Sequence, residues 1–122
     1  MNPFRIAVLV SAAALLIQSE VFAQTNLPKN DASTKALVEL CQNANDVDAQ
    51  NFCFGFGEGV YQSYIANRNP KIKSNICFSS EAGTREAILQ EFLGWIQRNP
   101  QFNQERAAKT LVRFFEARYP CK

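Results

Sequence analysis

The sequence predicts a small all-α domain, a four-helix bundle-like fold that is stapled by two disulfides. Apolar residues recur at helical spacing in four separate segments, and no segment shows the apolar–polar alternation that is typical of a strand. A residue type that caps helices precedes each of these segments. Cysteines at positions 41, 53, 77 and 121 make an even count, which in a small exported chain indicates two disulfides.

The N-terminal 23 residues have the three-part pattern of a secretory signal peptide. Arg5 supplies the positive charge, residues 6–17 are apolar or small, and Ala23 offers a cleavage site. The apolar run is shorter than the roughly 20 residues of a membrane span, and no cysteine follows it closely, so we expect no membrane anchor. We therefore predict a signal peptide at residues 1–23 and one exported helical domain at residues 24–122.

Charge and composition exclude several classes of function. Removal of the signal peptide leaves twelve basic and ten acidic residues that are spread along the chain, which argues against a nucleic-acid partner. The chain has no histidine, so Ser-His-Asp catalysis, Cys-His catalysis and imidazole metal sites are absent. We expect no catalytic, cofactor-binding or metal-binding residues. An enzyme that uses a pair of carboxylates is the weaker alternative, because Asp46 and Asp48 are better explained as residues of a helix N-terminus.

Helix-capping residues and the spacing of apolar residues predict the first two helices. Asp31 or Ser33 can cap a first helix that ends near Gln42. Its inward residues are Leu37, Val38 and Cys41. Asp46 or Asp48 can cap a second helix that ends near Asn67. An apolar face on this second helix is formed by residues four apart, namely Phe52, Phe56, Val60 and Tyr64.

The second helix contains a glycine-rich segment at residues 53–61. A phosphate-binding loop is rejected, because the residues before this segment are polar and show no strand pattern. Gly55 and Gly59 share one helix face, and each glycine costs about 1 kcal/mol of helix propensity. We predict that another helix packs closely against these two glycines. A partner-binding surface is the alternative.

A long irregular stretch follows at residues 68–83. It contains the cations Arg68, Lys71 and Lys73, and then Cys77. Loops of this length in a small domain are often functional, although a solvated connector is the alternative.

Two further helices complete the prediction. Thr84 can cap a third helix that ends at Asn99, because Pro100 disfavours helical geometry in the residue before it. Its apolar stripe comprises Ile88, Leu89, Phe92, Leu93, Trp95 and Ile96. Asn103 is the predicted cap of a fourth helix, which Pro120 ends. The stripe of the fourth helix comprises Ala108, Leu111, Val112 and Phe115.

The order of the helices predicts the disulfide pairing. In an up-down bundle the start of the third helix lies beside the end of the fourth, so Cys77 should meet Cys121. Cys41 and Cys53 flank the first turn and are left to pair. This second pair requires a late helix start or a crossing angle, because Cys53 can lie ~8–10 Å along its helix.

These motifs together resemble a known family. The order is Cys41, then Cys53-x-Gly55-Phe56-x-x-Gly59, then Cys77, then Trp95-Ile96-x-x-Asn99-Pro100, then Tyr119-Pro120-Cys121. It is similar to that of the Tai-type immunity proteins against type VI secretion amidase effectors, also described as resistance-associated proteins. Phe56 stands where the family often has tyrosine. Phe78, Ser79 and Ser80 follow Cys77, near which the family often has a proline.

The resemblance implies a periplasmic immunity protein, not an enzyme, that binds and inhibits a secreted peptidoglycan amidase. It also implies a homodimer, which is common in the family. Within the long loop we expect contacts to the amidase from Asn69, Lys71, Ile72, Lys73 and Ser74, with Ile76 as a second apolar candidate. The exposed helix face around Glu58 and Gln62 is the fallback contact. The alternative function is a periplasmic chaperone or carrier, which predicts an apolar cavity lined by Phe52, Phe56 and Phe92.

Overall fold

The computed structural model describes residues 31–122, and the predicted signal peptide lies outside them. The described chain forms α1 (Thr34–Cys41), α2 (Val47–Asn67), α3 (Arg85–Gln97) and α4 (Ala107–Arg118). Short 3₁₀ helices occur at Ser80–Ala82 and Pro100–Phe102. Within residues 31–122 there is no β-strand, so the predicted all-α class is confirmed. None of the described helices is long and apolar enough to cross a membrane.

Polar side chains start three of the helices as the sequence predicts. Ser33 Oγ accepts a hydrogen bond from the Ala36 amide at the start of α1. Asp46 does the same at the start of α2, and Thr84 at the start of α3. Each cap satisfies one of the backbone donors that a helix N-terminus leaves unpaired.

The predicted start of α4 at Asn103 is wrong, because the helix begins at Ala107. The Asn103 carbonyl accepts a hydrogen bond from the Lys35 amide, and the Ala107 amide donates to the Ala32 carbonyl. Between these contacts Arg106 is extended, with ψ 130°, and forms an isolated β-bridge with Ser33. Pairing with the beginning of α1 therefore delays the helix.

The core lies among the four helices, and most of its buried residues belong to α1, α3 and α4. Phe92 of α3 and Phe114 of α4 are almost fully buried, and their ring centroids are 5.4 Å apart. The buried face of α4 is turned slightly from the predicted stripe, because Ala108 is exposed and Val112 only half-buried. The buried residues of α4 are Ala107, Thr110, Leu111, Phe114 and Phe115.

Both predicted disulfides are confirmed. Cys41 pairs with Cys53, with their Cα atoms 5.8 Å apart, and joins the end of α1 to the first half of α2. Cys77 pairs with Cys121, at a Cα separation of 4.9 Å, and joins the long loop to the C-terminus.

The second helix is much less buried than its apolar sequence predicts. Of its 21 residues, Ala49 and Cys53 are the buried ones in the described structure. Phe52 is 38% exposed, while Phe56, Val60 and Tyr64 are half-buried. The predicted apolar face therefore lies at the edge of the bundle and not in the core.

Among the described residues, no helix packs closely on Gly55 and Gly59. A Cβ atom built on either glycine would have no heavy atom within 4 Å among the described residues. These glycines border an open groove between α2 and α4. The prediction of a packing role was wrong, because a spacing of four defines a shared face but not what covers that face.

Glu105 connects the N-termini of α1 and α4. Its backbone carbonyl accepts hydrogen bonds from the amide and the hydroxyl of Thr34, at 2.8 and 3.0 Å. Its carboxylate accepts hydrogen bonds from Arg113 and from Thr110, and also pairs with Lys109. The bonds from Arg113 are the main cause that lowers the pKa of this carboxyl to about 2.

We predict that Gly59→Leu leaves the protein at least as stable as the wild type in thermal unfolding. Open space accommodates the new side chain, and leucine is the better helix former by roughly 0.5–1 kcal/mol. Gly83→Leu is the control. Gly83 has a positive φ of 87°, which a leucine rarely adopts, so this variant must lose stability. A clear fall in melting temperature for Gly59→Leu would show that this face is covered.

Glu105→Gln should destabilise the protein at neutral pH and have progressively less effect as the pH falls. The carboxyl has a lower pKa in the folded than in the unfolded chain, so its stabilisation is present above the unfolded value near 4.3. Protonation removes that stabilisation between about pH 5 and pH 2. Urea unfolding of both proteins across this range measures the difference.

The matched control is Glu39→Gln, whose carboxylate belongs to a largely exposed pair with Lys35. Such surface pairs contribute little, so this variant should match the wild type throughout the range. If the loss of stability of Glu105→Gln relative to the wild type stays the same at every pH, an electrostatic role for Glu105 is contradicted.

Candidate functional site

The loop at residues 68–79 contains all five predicted partner-binding residues, and its base is firmly attached to the C-terminus. Ile76 is 2% exposed and belongs to the core of the described domain. The Cys77 amide donates to the Tyr119 carbonyl at 2.8 Å, and the Cys121 amide donates to the Asn75 carbonyl at 3.3 Å. Together with the Cys77–Cys121 disulfide, these bonds fix the base of the loop.

The outer part of the loop is a hydrogen-bonded turn. Asn69 Oδ1 accepts from the Lys71 amide at 2.9 Å, and the Asn69 carbonyl accepts from the Ile72 amide at 3.0 Å. Arg68 Nη1 donates to the Ile72 carbonyl at 2.7 Å and closes the turn from the other side. The backbone that carries Lys71 and Ile72 is thus held in one conformation by local bonds.

This turn presents an apolar side chain between two cations. Ile72 is 63% exposed, and Lys71 and Lys73 are exposed on either side of it in the sequence. Residues 68–79 contain three cations and no carboxylate, so the loop carries a local positive charge. An exposed aliphatic residue with cationic neighbours is suited to an acidic surface that contains an apolar pocket.

Ser74 and Ile76 contribute to the loop in other ways than expected. Ser74 is half-buried, and its hydroxyl accepts from the Ile76 amide and donates to the Ile76 carbonyl. It therefore shapes the loop, and its hydroxyl is already engaged. Because Ile76 is buried, Ile72 is the apolar residue of this loop that a partner can reach.

One contact was not expected from the sequence and supports the loop from α2. The Asn75 amide donates to the Tyr64 hydroxyl at 3.1 Å. The two residues are eleven positions apart on different elements, so neither periodicity nor a local motif indicates the bond.

An apolar cavity of 280 Å³ lies in the bundle between α2 and α3, and residues of α1 and α4 also line it. Phe92 lines it as predicted, but Phe52 and Phe56 do not. Those two rings stack on each other 5.9 Å apart on a different face of α2, and Phe54 lines the cavity instead. Gly57 also lines it, so the middle glycine of the glycine-rich segment faces the cavity while its neighbours face the groove.

The groove between α2 and α4 is the second concave surface. It is lined by Gly55, Phe56, Gly59, Val60, Tyr64, Ala108 and Val112, among other residues. The fallback contact residues are exposed on α2, where Gln62 Nε2 donates to Glu58 Oε1 at 2.8 Å. Glu58 lines the cavity and not the groove.

The pKa shifts of Glu91 and Tyr119 arise from burial and from hydrogen bonds that join two helices. The Tyr119 hydroxyl donates to Glu91 at 2.7 Å, and this bond lowers the pKa of the Glu91 carboxyl. Burial, followed by the same bond, raises the pKa of Tyr119. Arg118 also donates to Glu91, so the cluster joins α3 to the end of α4. Neither Glu91 nor Tyr119 lines the cavity.

Comparison with known proteins gives one finding. Residues 33–121 match the family model of the Rap1a immunity proteins. Searches among curated proteins and among solved structures gave no match. The match begins at the cap of α1 and ends at the second cysteine of the Cys77–Cys121 disulfide, so it spans all four helices. The chain therefore belongs to the Rap1a immunity protein family, which indicates immunity to a type VI secretion effector.

Proposed function

We propose that this chain is a periplasmic protein that binds and inhibits a peptidoglycan amidase delivered by a type VI secretion system. Its main contact is the turn at residues 69–73, and Ser74 acts by shaping the base of the loop through its bonds to Ile76. The observation that carries the proposal is the exposed Ile72 between two lysines, on a loop fixed by a disulfide and by internal hydrogen bonds.

Such an inhibitor needs no chemistry of its own. A loop that lodges in the cleft of an amidase excludes the peptidoglycan substrate. Because the Arg68–Ile72 and Asn69–Lys71 bonds already order the turn, little conformational entropy is lost on binding. The three cations of the loop attract an acidic cleft and accelerate association.

The direct test uses a type VI secretion amidase from the same genome and measures binding to it and protection of cells from lysis by it. Oxidised protein should bind the amidase and protect cells when it is exported. Absence of binding at micromolar concentrations would contradict the proposal. Cleavage after Ala23 and the homodimer are tested separately, by N-terminal sequencing of the exported protein and by sedimentation velocity.

Lys71→Glu combined with Lys73→Glu should slow association with the amidase by about tenfold or more at low salt. The two substitutions reverse the charge of an exposed loop. Because salt screens exposed charges, the slowing of association should become smaller as salt is added. Stopped-flow or surface-immobilised kinetics measure the association rate. The control is Lys35→Glu with Arg106→Glu, which makes the same change in net charge outside the loop. Equal slowing by both double variants would show that net charge and not the loop is responsible.

Ile72→Ala should weaken binding by about 2 kcal/mol, roughly 30-fold, without changing the melting temperature. The side chain is 63% exposed in the free protein, so its removal leaves no cavity in the core. Val47→Ala is the matched control, because Val47 is an aliphatic residue 69% exposed at the start of α2. If Ile72→Ala binds as the wild type does, the loop is not the main contact.

A further inference from the structure

The cavity between α2 and α3 is an unfilled part of the bundle that the proposed inhibition does not use. Phe92 and Phe114 close its inner side and are almost fully buried. On α2 its lining includes Cys53, Gly57 and Tyr61, which are four residues apart and therefore share one face. These positions extend for about 12 Å along the helix axis at 1.5 Å per residue.

The cavity exists because α2 supplies little side-chain volume on this face. Gly57 contributes no side chain, and a Cβ atom there would meet no heavy atom of the described residues within 4 Å. The apolar walls offer an ordered water few of the two to four polar partners that it needs. The space therefore favours an apolar occupant over water.

The volume and shape of the cavity indicate what kind of apolar molecule fits it. An apolar cavity of about 150 Å³ accommodates benzene, so 280 Å³ has room for roughly a dozen carbon atoms. A site that extends along a helix for two turns favours an unbranched chain over a fused ring system.

The rim of the cavity carries one cation and one carboxylate. The Arg85 guanidinium lies 4.5 Å from the centroid of the Phe54 ring, and its side chain is 65% exposed. Arg85 Nε donates to Glu86, which leaves its terminal amino groups outside the hydrogen bonds of the described residues. Glu58 Oε1 accepts from Gln62, so this carboxylate already has a partner on α2. Arg85 is thus the rim group that an anionic head group can reach.

We propose that this cavity binds the alkyl chain of a single-chain anionic amphiphile, of the fatty-acid class, with its carboxylate at Arg85. The inference is independent of the proposed immunity role, because the loop at residues 68–79 contributes only Phe78 to the lining. Binding and inhibition of an amidase can therefore fail while this site remains, and the reverse also holds.

The experiment measures binding of saturated fatty acids from hexanoate to palmitate, each below its micellar concentration, to the oxidised protein by calorimetry. Affinity should rise about fourfold per methylene until the cavity is full, near roughly twelve carbons, and then level off. Amide and methyl chemical shifts should change around Ile88 and Leu89, which line the cavity. Lack of saturable binding, or shifts confined to other surfaces, would overturn the proposal.

Two glycine variants supply a matched pair. Gly57→Leu places four carbons in the cavity, so the plateau should move to shorter chains and laurate affinity should fall by about tenfold or more. Gly59→Leu makes the same change on the same helix but faces the groove, so laurate affinity should stay within about twofold of the wild type. Equal effects of the two variants would contradict the site, and circular dichroism confirms that both are folded.

Arg85→Gln tests the head group. It should weaken decanoate binding while leaving binding of decanol, which has the same chain without the charge, unchanged. If both ligands weaken equally, or neither does, the carboxylate does not lie at Arg85.

Discussion

The Cys41–Cys53 disulfide fixes the position of α2, and the rest of the structure depends on that position. Ala49 and Cys53 are the buried residues among the 21 of this helix, and its half-buried aromatic residues pack against the edge of the core. Its three glycines lower helix propensity by about 1 kcal/mol each. A crosslink that closes a loop of this length restricts the unfolded chain and stabilises the fold by about 3 kcal/mol.

Two concave surfaces lie beside α2. Gly57 faces the cavity toward α3, while Gly55 and Gly59 face the groove toward α4. A bundle with larger residues at these positions would close both surfaces. The loop depends on the same helix, because Tyr64 of α2 holds Asn75 near the base of the loop. The Cys77–Cys121 disulfide also supports the base of the loop that carries the exposed turn.

Much of the fold could be predicted because its signals are local. Ser33, Asp46 and Thr84 bond to amides three residues ahead, and such caps are readable from the sequence. The disulfide pairing followed from the order of helices in a bundle. Asn103 failed as a cap because the backbone around it pairs with residues about 70 positions earlier, which local patterns do not indicate.

The candidate site could be predicted only in outline. The cations and the length of the loop are visible in the sequence, and four of the five predicted contact residues are exposed. Which isoleucine is buried was not visible, because Ile72 and Ile76 lie in similar surroundings in the sequence and differ only through pairing with the C-terminus. The glycines showed which face they share, but whether a neighbour covers that face is a tertiary property.

Hydrogen–deuterium exchange of the oxidised protein, measured with and without the proposed amidase partner, shows whether the loop at residues 68–79 is the inhibitory contact. The turn at residues 69–73 is already ordered by the Arg68 and Asn69 bonds, and we predict that the amidase adds strong protection there. Exchange along the α2–α4 groove should change little. Protection confined to α2, with the turn exchanging as in the free protein, would contradict the assignment of this loop as the inhibitory contact.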